Sequence, residues 1–177
     1  MKTEDHKLLA KTMTEHLNIS KWQKRAFVFG SIEPDFNRLS YMGHKKEHFA
    51  NGHSYHCRKK QIFAFMKKPY QDSVYWWHRA GKAFHYLEDS FSRPHNPEFG
   101  YRSAAHVKYE IGLHEIVQRA IGGNPWKIPK VDQELKPWLE LRHQHYMEKT
   151  KGIQEDCYYI YTTVMAVWNW MIEKKVG

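Results

Sequence analysis

Apolar positions along this chain recur three and four residues apart in one segment after another, which is the period of an amphipathic helix. Thr3 stands where it can cap a first helix whose inner stripe is His6, Leu9, Met13 and Leu17. Ser20 can cap a second, through Trp22, Phe27 and Val28, that ends at Gly30. Glu33-Pro34-Asp35 breaks it, and a loop follows to about Gly52. A third helix is expected from about His53 to Lys68, stopping before Pro69. Asp72 caps a fourth, with Val74, Trp77, Phe84, Leu87 and Phe91 among its apolar positions, ending before Pro94. Ser103 caps a fifth, which stops at Gly122-Gly123. After a proline-containing loop from Asn124 to Val131, two more helices follow, about Asp132 to Thr150 and Gln154 to Lys175. Pro137 alternatively marks the first turn of the former. Nothing alternates like a strand for long enough to build a sheet, since the Phe63–Met66 run sits inside a helical pattern. The pattern predicts an all-α fold, a single-domain bundle of about seven helices over residues 1–177.

Composition adds three points. At 177 residues and 41% hydrophobic, the chain can bury a core without staples. Aromatics reach 15%, with seven Trp and eleven Tyr, which suits a core of large rings or rings lining a cleft or facing a membrane. A net charge of +9 and a pI near 9.4 favour phosphate-bearing partners, on nucleic acid or on lipid headgroups, and do not choose between them. Cys57 and Cys157 form no CxxC pair, so a thiolate zinc site is not expected and both read as small core residues. The start is polar and amphipathic, without a signal-type apolar stretch. The longest uncharged run, Cys157 to Ile172, is sixteen residues, short of the ~20 that span a bilayer. The expectation is a soluble, cytoplasmic chain, with secretion left open.

Thirteen histidines change the picture most. In GKAFHYLEDSFSRPHN, His85 and Asp89 are four apart and share one helix face, with about 5–6 Å between Cβ atoms. An imidazole nitrogen and a carboxylate oxygen so placed can share one ion, each about 2 Å from zinc. His95 follows just past Pro94, where the chain can turn back. In AAHVKYEIGLHE, His106 and Glu110 repeat the geometry on the next helix, and His114 continues that face. One such pair is commonly a surface contact. Two pairs on consecutive helices, amid Phe84, Leu87, Phe91, Val107, Ile111 and Leu113, are ionisable groups in apolar surroundings. Left unpaired there they would cost several kcal/mol, which points to metal binding.

The string HYLEDSFSRPH, with the later HVKYE, resembles the signature of the zinc-dependent phospholipase C family. Upstream, GSIEPDF resembles that family's G-x-x-x-P-D segment, and FANGHSYH resembles a stretch that supplies a histidine, here His53, with His44, His48 and His56 as rivals. The first helix, with His6, looks like the family's N-terminal ligand-bearing helix. The matches run from His6 to Glu110 in the family's order, and the last two helices add no motif.

The resemblance implies a polynuclear zinc cleft with two or three ions. Asp35, His53, His85 and Asp89 would surround one zinc; His95, His106 and Glu110 would hold a second; His6 would hold a third near Asp89, which would bridge. In the secreted members the terminal amino group and carbonyl complete that third site. Here the chain starts five residues before His6, so the third site is absent, remodelled or completed by Glu4 or Asp5.

Clustered zinc suits phosphate ester hydrolysis, two ions about 3.5–4 Å apart activating water and clamping the attacking and leaving oxygens. Asp35 is the residue expected to orient or deprotonate the attacking water. The function expected is that of a phospholipase C-like phosphodiesterase acting on a phospholipid headgroup, with peripheral membrane contact. Two alternatives stand beside it: a phosphodiesterase or phosphatase of nucleotides or single-stranded nucleic acid, and a non-catalytic metal-binding module. Phe29, Tyr41, Phe49, Tyr55 and Phe91 are candidates to flank the cleft, or core rings.

Overall fold

The structure, a computed structural model, describes residues 1–37, 52–96, 103–123 and 126–176, leaving aside the side chains of 103–106 and 175. Among the described residues seven α-helices follow in order: α1 (Thr3–Thr14), α2 (Lys21–Phe36), α3 (Tyr55–Met66), α4 (Val74–Asp89), α5 (Ser103–Gly123), α6 (Leu135–Lys149) and α7 (Ile153–Met171). A short 3-10 turn, Arg93–His95, sits between α4 and α5. No strand occurs among the described residues, and the fold is all-α as the periodicity predicts.

Local chemistry sets the helix starts. Ser20 accepts from the Gln23 backbone while the Gln23 side chain returns a bond to the Ser20 backbone, a reciprocal capping box. Ser54 and Ser73 cap α3 and α4. Asp72, expected to cap α4, instead accepts from the side chains of Gln23 and Tyr70 and ties α2 to the entry of α4. Thr3 does not cap α1 either; its hydroxyl donates to Asp35 Oδ2 at 2.7 Å.

The largest departure from expectation lies in α2. It does not stop at Gly30 but runs to Phe36 with Pro34 inside it, so the Glu33-Pro34-Asp35 segment is helical. Gly30 serves helix packing, because a Cβ there would stand 2.0 Å from the backbone oxygen of His78 on α4. At Gly81 on α4 a Cβ would stand 2.1 Å from the oxygen of Phe27. The two glycines let α2 and α4 cross backbone to backbone, and this pair packs more extensively than any other. The close crossing holds the helix through a residue that lacks an amide donor.

Around the crossing lies a core of rings. Phe27 packs on Trp77 (6.1 Å between centroids), Phe84 (5.8 Å) and Trp168 (5.1 Å), and all four are buried. Cys157 is buried and Cys57 half-buried, both as free thiols. α4 is amphipathic at its start and buried on every side at its end, from Ala83 to Asp89. That buried end carries the polar cluster.

Candidate metal centre

Three helices and two connections deliver the cluster. α4 supplies His85, Glu88 and Asp89; α1 supplies His6; the last turn of α2 supplies Asp35. His53 arrives just before the Ser54 cap of α3, and His95 ends the 3-10 turn. The continuation of α2 past Gly30 is what brings Asp35 within 3.7 Å of His85, measured Oδ1 to Nε2.

Asp89 stands at the middle, 1% exposed. Its Oδ2 faces His53 Nδ1 at 2.9 Å and His85 Nε2 at 3.2 Å. Its Oδ1 faces His6 Nε2 at 3.4 Å, His95 Nε2 at 3.4 Å and the amino nitrogen of Met1 at 3.2 Å. The two oxygens of one carboxylate thus look into two groups of nitrogen donors. Among the described residues, three sets have ligand atoms mutually within 4.8 Å: His6 with His85 and Asp89, Asp35 with His53 and His85, and His53 with Asp89 and His95.

The outer contacts aim the rings. His85 donates from Nδ1 to the backbone oxygen of Ser31 at 2.8 Å, which leaves Nε2 turned to the cluster. His6 is held through Nδ1 by the carboxylate of Glu88, which is fully buried. A second partner that fixes tautomer and ring orientation is the usual accompaniment of a metal-binding imidazole. His6 Nε2 is buried and, among the described residues, has no hydrogen-bond partner, Asp89 Oδ1 standing 3.4 Å away. An orphaned imidazole nitrogen facing a carboxylate, in a set of nitrogen and oxygen donors without thiolate, fits a zinc ion.

The electrostatics follow from that crowding. Burial opposes ionisation of Asp89, but His95, the Met1 amino group, His85 and His6 outweigh it and hold the carboxyl well below its usual range. Burial likewise opposes a charge on His6, and Asp89 and Glu88 overcome it, raising its pKa to about 10. For His85, burial and the neighbouring His6 prevail over the carboxylates, and the pKa falls to about 4. Burial lifts Glu88 to about 7 against the pull of His6.

Of the residues singled out from the sequence, His6, Asp35, His53, His85, Asp89 and His95 converge here. Glu110, on α5, approaches through Oε1 to 3.4 Å from the Met1 nitrogen. His106 is one turn earlier on α5, and its side chain lies outside the described residues, as do His44, His48, Tyr41 and Phe49. His56, a rival for the place of His53, is exposed. Neither Glu4 nor Asp5 enters the cluster: Glu4 is exposed, and Asp5 is buried against His114 of α5, 2.5 Å from its Nδ1. Among the candidate cleft rings, Tyr55 and Phe91 are buried and Phe29 is exposed.

Three contributors were not read from the sequence: the Met1 amino group, which stands where Glu4 or Asp5 was expected, Glu88, and a backbone oxygen of α2. Glu88 adjoins Asp89 in a run flanked by Leu87 and Phe91, and a carboxylate in that apolar setting was the available signal. The backbone oxygen of Ser31 had none, because it depends on how α2 and α4 cross.

Taken together, these features define an all-helical protein with a buried cluster of imidazoles and carboxylates suited to metal. A family model for zinc dependent phospholipase C matches residues 5–161 of the 177, and the chain belongs to that family. No curated protein and no solved structure matched it.

Proposed function

We propose that this chain is a zinc-dependent hydrolase of phosphate esters that cleaves a phospholipid on the glycerol side of its headgroup phosphate. The observation that carries the reading is Asp89, whose two oxygens face separate groups of nitrogen donors, the arrangement a bridging carboxylate needs. Asp35, His53, His85 and Asp89 would hold one ion, His95, His106 and Glu110 a second, and His6, near Asp89, a third. Bound zinc supplies Lewis acidity toward a phosphoryl oxygen and makes water acidic enough to attack near neutral pH.

The remaining work falls to the chain's own groups. Asp35 is the more open of the two central aspartates, 13% exposed against 1% for Asp89. It therefore faces the side from which substrate arrives, and the Thr3 hydroxyl fixes its orientation. This is the position of a group that orients the attacking water and accepts its proton. Glu88 and the Ser31 carbonyl hold the rings of His6 and His85, so the centre keeps its geometry as charge develops.

The test is metal analysis of protein purified without chelator, followed by turnover assays on phosphatidylcholine and on single-stranded DNA. Two or three zinc per chain with lipid turnover is the expected result. Turnover of DNA alone assigns the chemistry to nucleic acid, and zinc without turnover of either leaves a binding module. Absence of zinc refutes the reading.

A further inference from the structure

The outward side of α2 is a face that the helix packing does not use. Trp22, Phe29 and Phe36 are 59%, 55% and 69% exposed. They stand seven residues apart, two helical turns each, and so form one line roughly 20 Å long on a single crest. Isolated exposed apolar residues are ordinary on a protein surface, whereas three large rings aligned on one helix mark an interaction face.

The surroundings of this line are apolar and cationic. Lys21 Nζ lies 5.7 Å and Arg25 Cζ 5.1 Å from the centroid of the Trp22 ring. Beside the crest, Val28 and Ile32 of α2 and Leu8 of α1 line a shallow groove of about 640 Å³, where Lys11, Lys24 and Arg25 outnumber the one lining acid, Glu15. On the α4 side His78 stacks on Phe29 at 5.7 Å. The acid there, Glu33, is already engaged by His78 and Lys82.

We propose that this crest is a docking face for an anionic phospholipid membrane surface. The three rings and the aliphatic groove enter the headgroup region, and the lysines and arginine meet the lipid phosphates and carboxylates. Charge complementarity selects the occupant. A second copy docked by two-fold symmetry would bring two identical faces, each carrying Lys21, Lys24 and Arg25, together, like charge near like charge. A nucleic-acid strand is held in a basic groove with rings stacked on its bases, whereas this line is a convex crest beside an aliphatic strip. Among the described residues no helix is long and apolar enough to cross a membrane, so the mode is interfacial. The line ends at Phe36, the residue after Asp35, so docking sets the end of α2 that carries Asp35 near the lipid surface. That last consequence rests on the hydrolase reading; the docking face itself does not.

The test is co-sedimentation of the zinc-loaded full chain with vesicles of phosphatidylcholine alone and of phosphatidylcholine containing phosphatidylserine. The expected result is binding to the mixed vesicles that weakens with salt and is poorer on neutral ones. The triple variant Trp22→Ser, Phe29→Ser, Phe36→Ser lowers partitioning by about tenfold or more, from the ring area no longer withdrawn from water. Leu141→Ser, another exposed apolar position at 46%, leaves binding unchanged. Circular dichroism and zinc content of the triple variant match the wild type. Its rate on a soluble short-chain phosphodiester is retained, while its rate on vesicle lipid falls in step with binding. If the hydrolase reading fails, no variant turns over any substrate, yet the vesicle binding and its loss remain. The docking face is overturned if the triple variant binds vesicles as the wild type does. It is equally overturned if the wild type ignores anionic vesicles, or if the substitutions instead abolish a dimer or binding to a single-stranded oligonucleotide.

Discussion

Two buried aspartates, Asp89 at the end of α4 and Asp156 in the first turn of α7, show how differently the fold uses the same side chain. Both are almost fully excluded from solvent, at 1% and 0% exposure. Asp89 is ringed by imidazole nitrogens and the Met1 amine, groups that can give a lone pair to a metal or hold a proton. Asp156 is ringed by groups that offer it only hydrogen: the hydroxyls of Thr150 and Tyr109, the backbone amide of Arg93 at 3.2 Å and, at 3.9 Å, the Arg93 guanidinium. It ties α7 to α5, to the residue capping the end of α6 and to the 3-10 turn that bears His95. The electrostatics separate them in the same direction. Asp89 is held well below the usual range, whereas burial raises Asp156 despite its hydrogen bonds. The lesson is that burial alone does not mark a chemical site. What marks it is whether the neighbours can exchange a proton for a cation.

The sharpest way to break the comparison is to remove each carboxylate in turn. Asp89→Ala is expected to lower zinc affinity well over a hundredfold and to abolish phosphate ester turnover. Losing even a carboxylate that merely orients a ligand costs ~10–100-fold. Elemental analysis and a competition titration against a chelator measure it. Asp156→Ala is expected to do the opposite: zinc per folded chain stays level, and stability drops by about 3 kcal/mol as buried hydrogen bonds to a charged group are lost. Urea denaturation of the zinc-loaded protein measures that. If Asp156→Ala lost zinc without losing stability, the division between the two aspartates would collapse.

The contrast also explains what was legible in the sequence. His85 and Asp89 could be placed together because a helix fixes the spacing of i and i+4, and Pro94 announced the turn carrying His95. Asp35 came from the family resemblance alone. The local rule pointed the other way, since Pro34 read as a break where the Gly30–Gly81 crossing holds the helix intact. Asp156 could not be found at all. Its partners lie 6, 47 and 63 residues away, and only packing brings them together. The seven helices were readable because periodicity is local. The contacts that aim His6 and His85 were not, because they arise between helices.

Glu88 sharpens the comparison from the metal side, as a carboxylate that touches an imidazole without joining the ring of groups around Asp89. Glu88→Gln keeps the shape and a hydrogen bond to His6 Nδ1 but removes the charge that fixes the ring's tautomer. The expected effect is a ~10–100-fold loss of zinc affinity confined to the His6 side, so the stoichiometry at limiting zinc falls by one ion. Helix content is unchanged. Unaltered affinity would show that Glu88 is a structural acid of the Asp156 kind.

His143 on α6 tests the ground between the two aspartates. Its Nε2 donates to the backbone oxygen of Ser90, next to Asp89, at 3.1 Å and to Asn96 Oδ1 at 3.3 Å. Asn96 in turn donates to the oxygens of Ser90 and Ser92, so the imidazole clasps the turn that carries His95. Its other contacts are rings, with Tyr55 stacked at 3.9 Å between centroids. Burial depresses its pKa to about 4, and Lys59 adds to this against the support of the Ser90 carbonyl. The unfolded chain protonates this histidine near 6.5 and the folded chain only near 4, so above 6.5 both states are neutral and nothing depends on pH. As pH falls from 6.5 toward 4, the unfolded state alone gains the proton and stability is lost. For a half-buried ring the loss amounts to about 1–2 kcal/mol by pH 5. His143→Gln retains a donor for Ser90 and cannot titrate, so its denaturation curves at pH 7.5 and pH 5 should differ by that much less than the wild type's. An identical pH response in the two proteins would place the acid sensitivity elsewhere and leave His143 as packing alone.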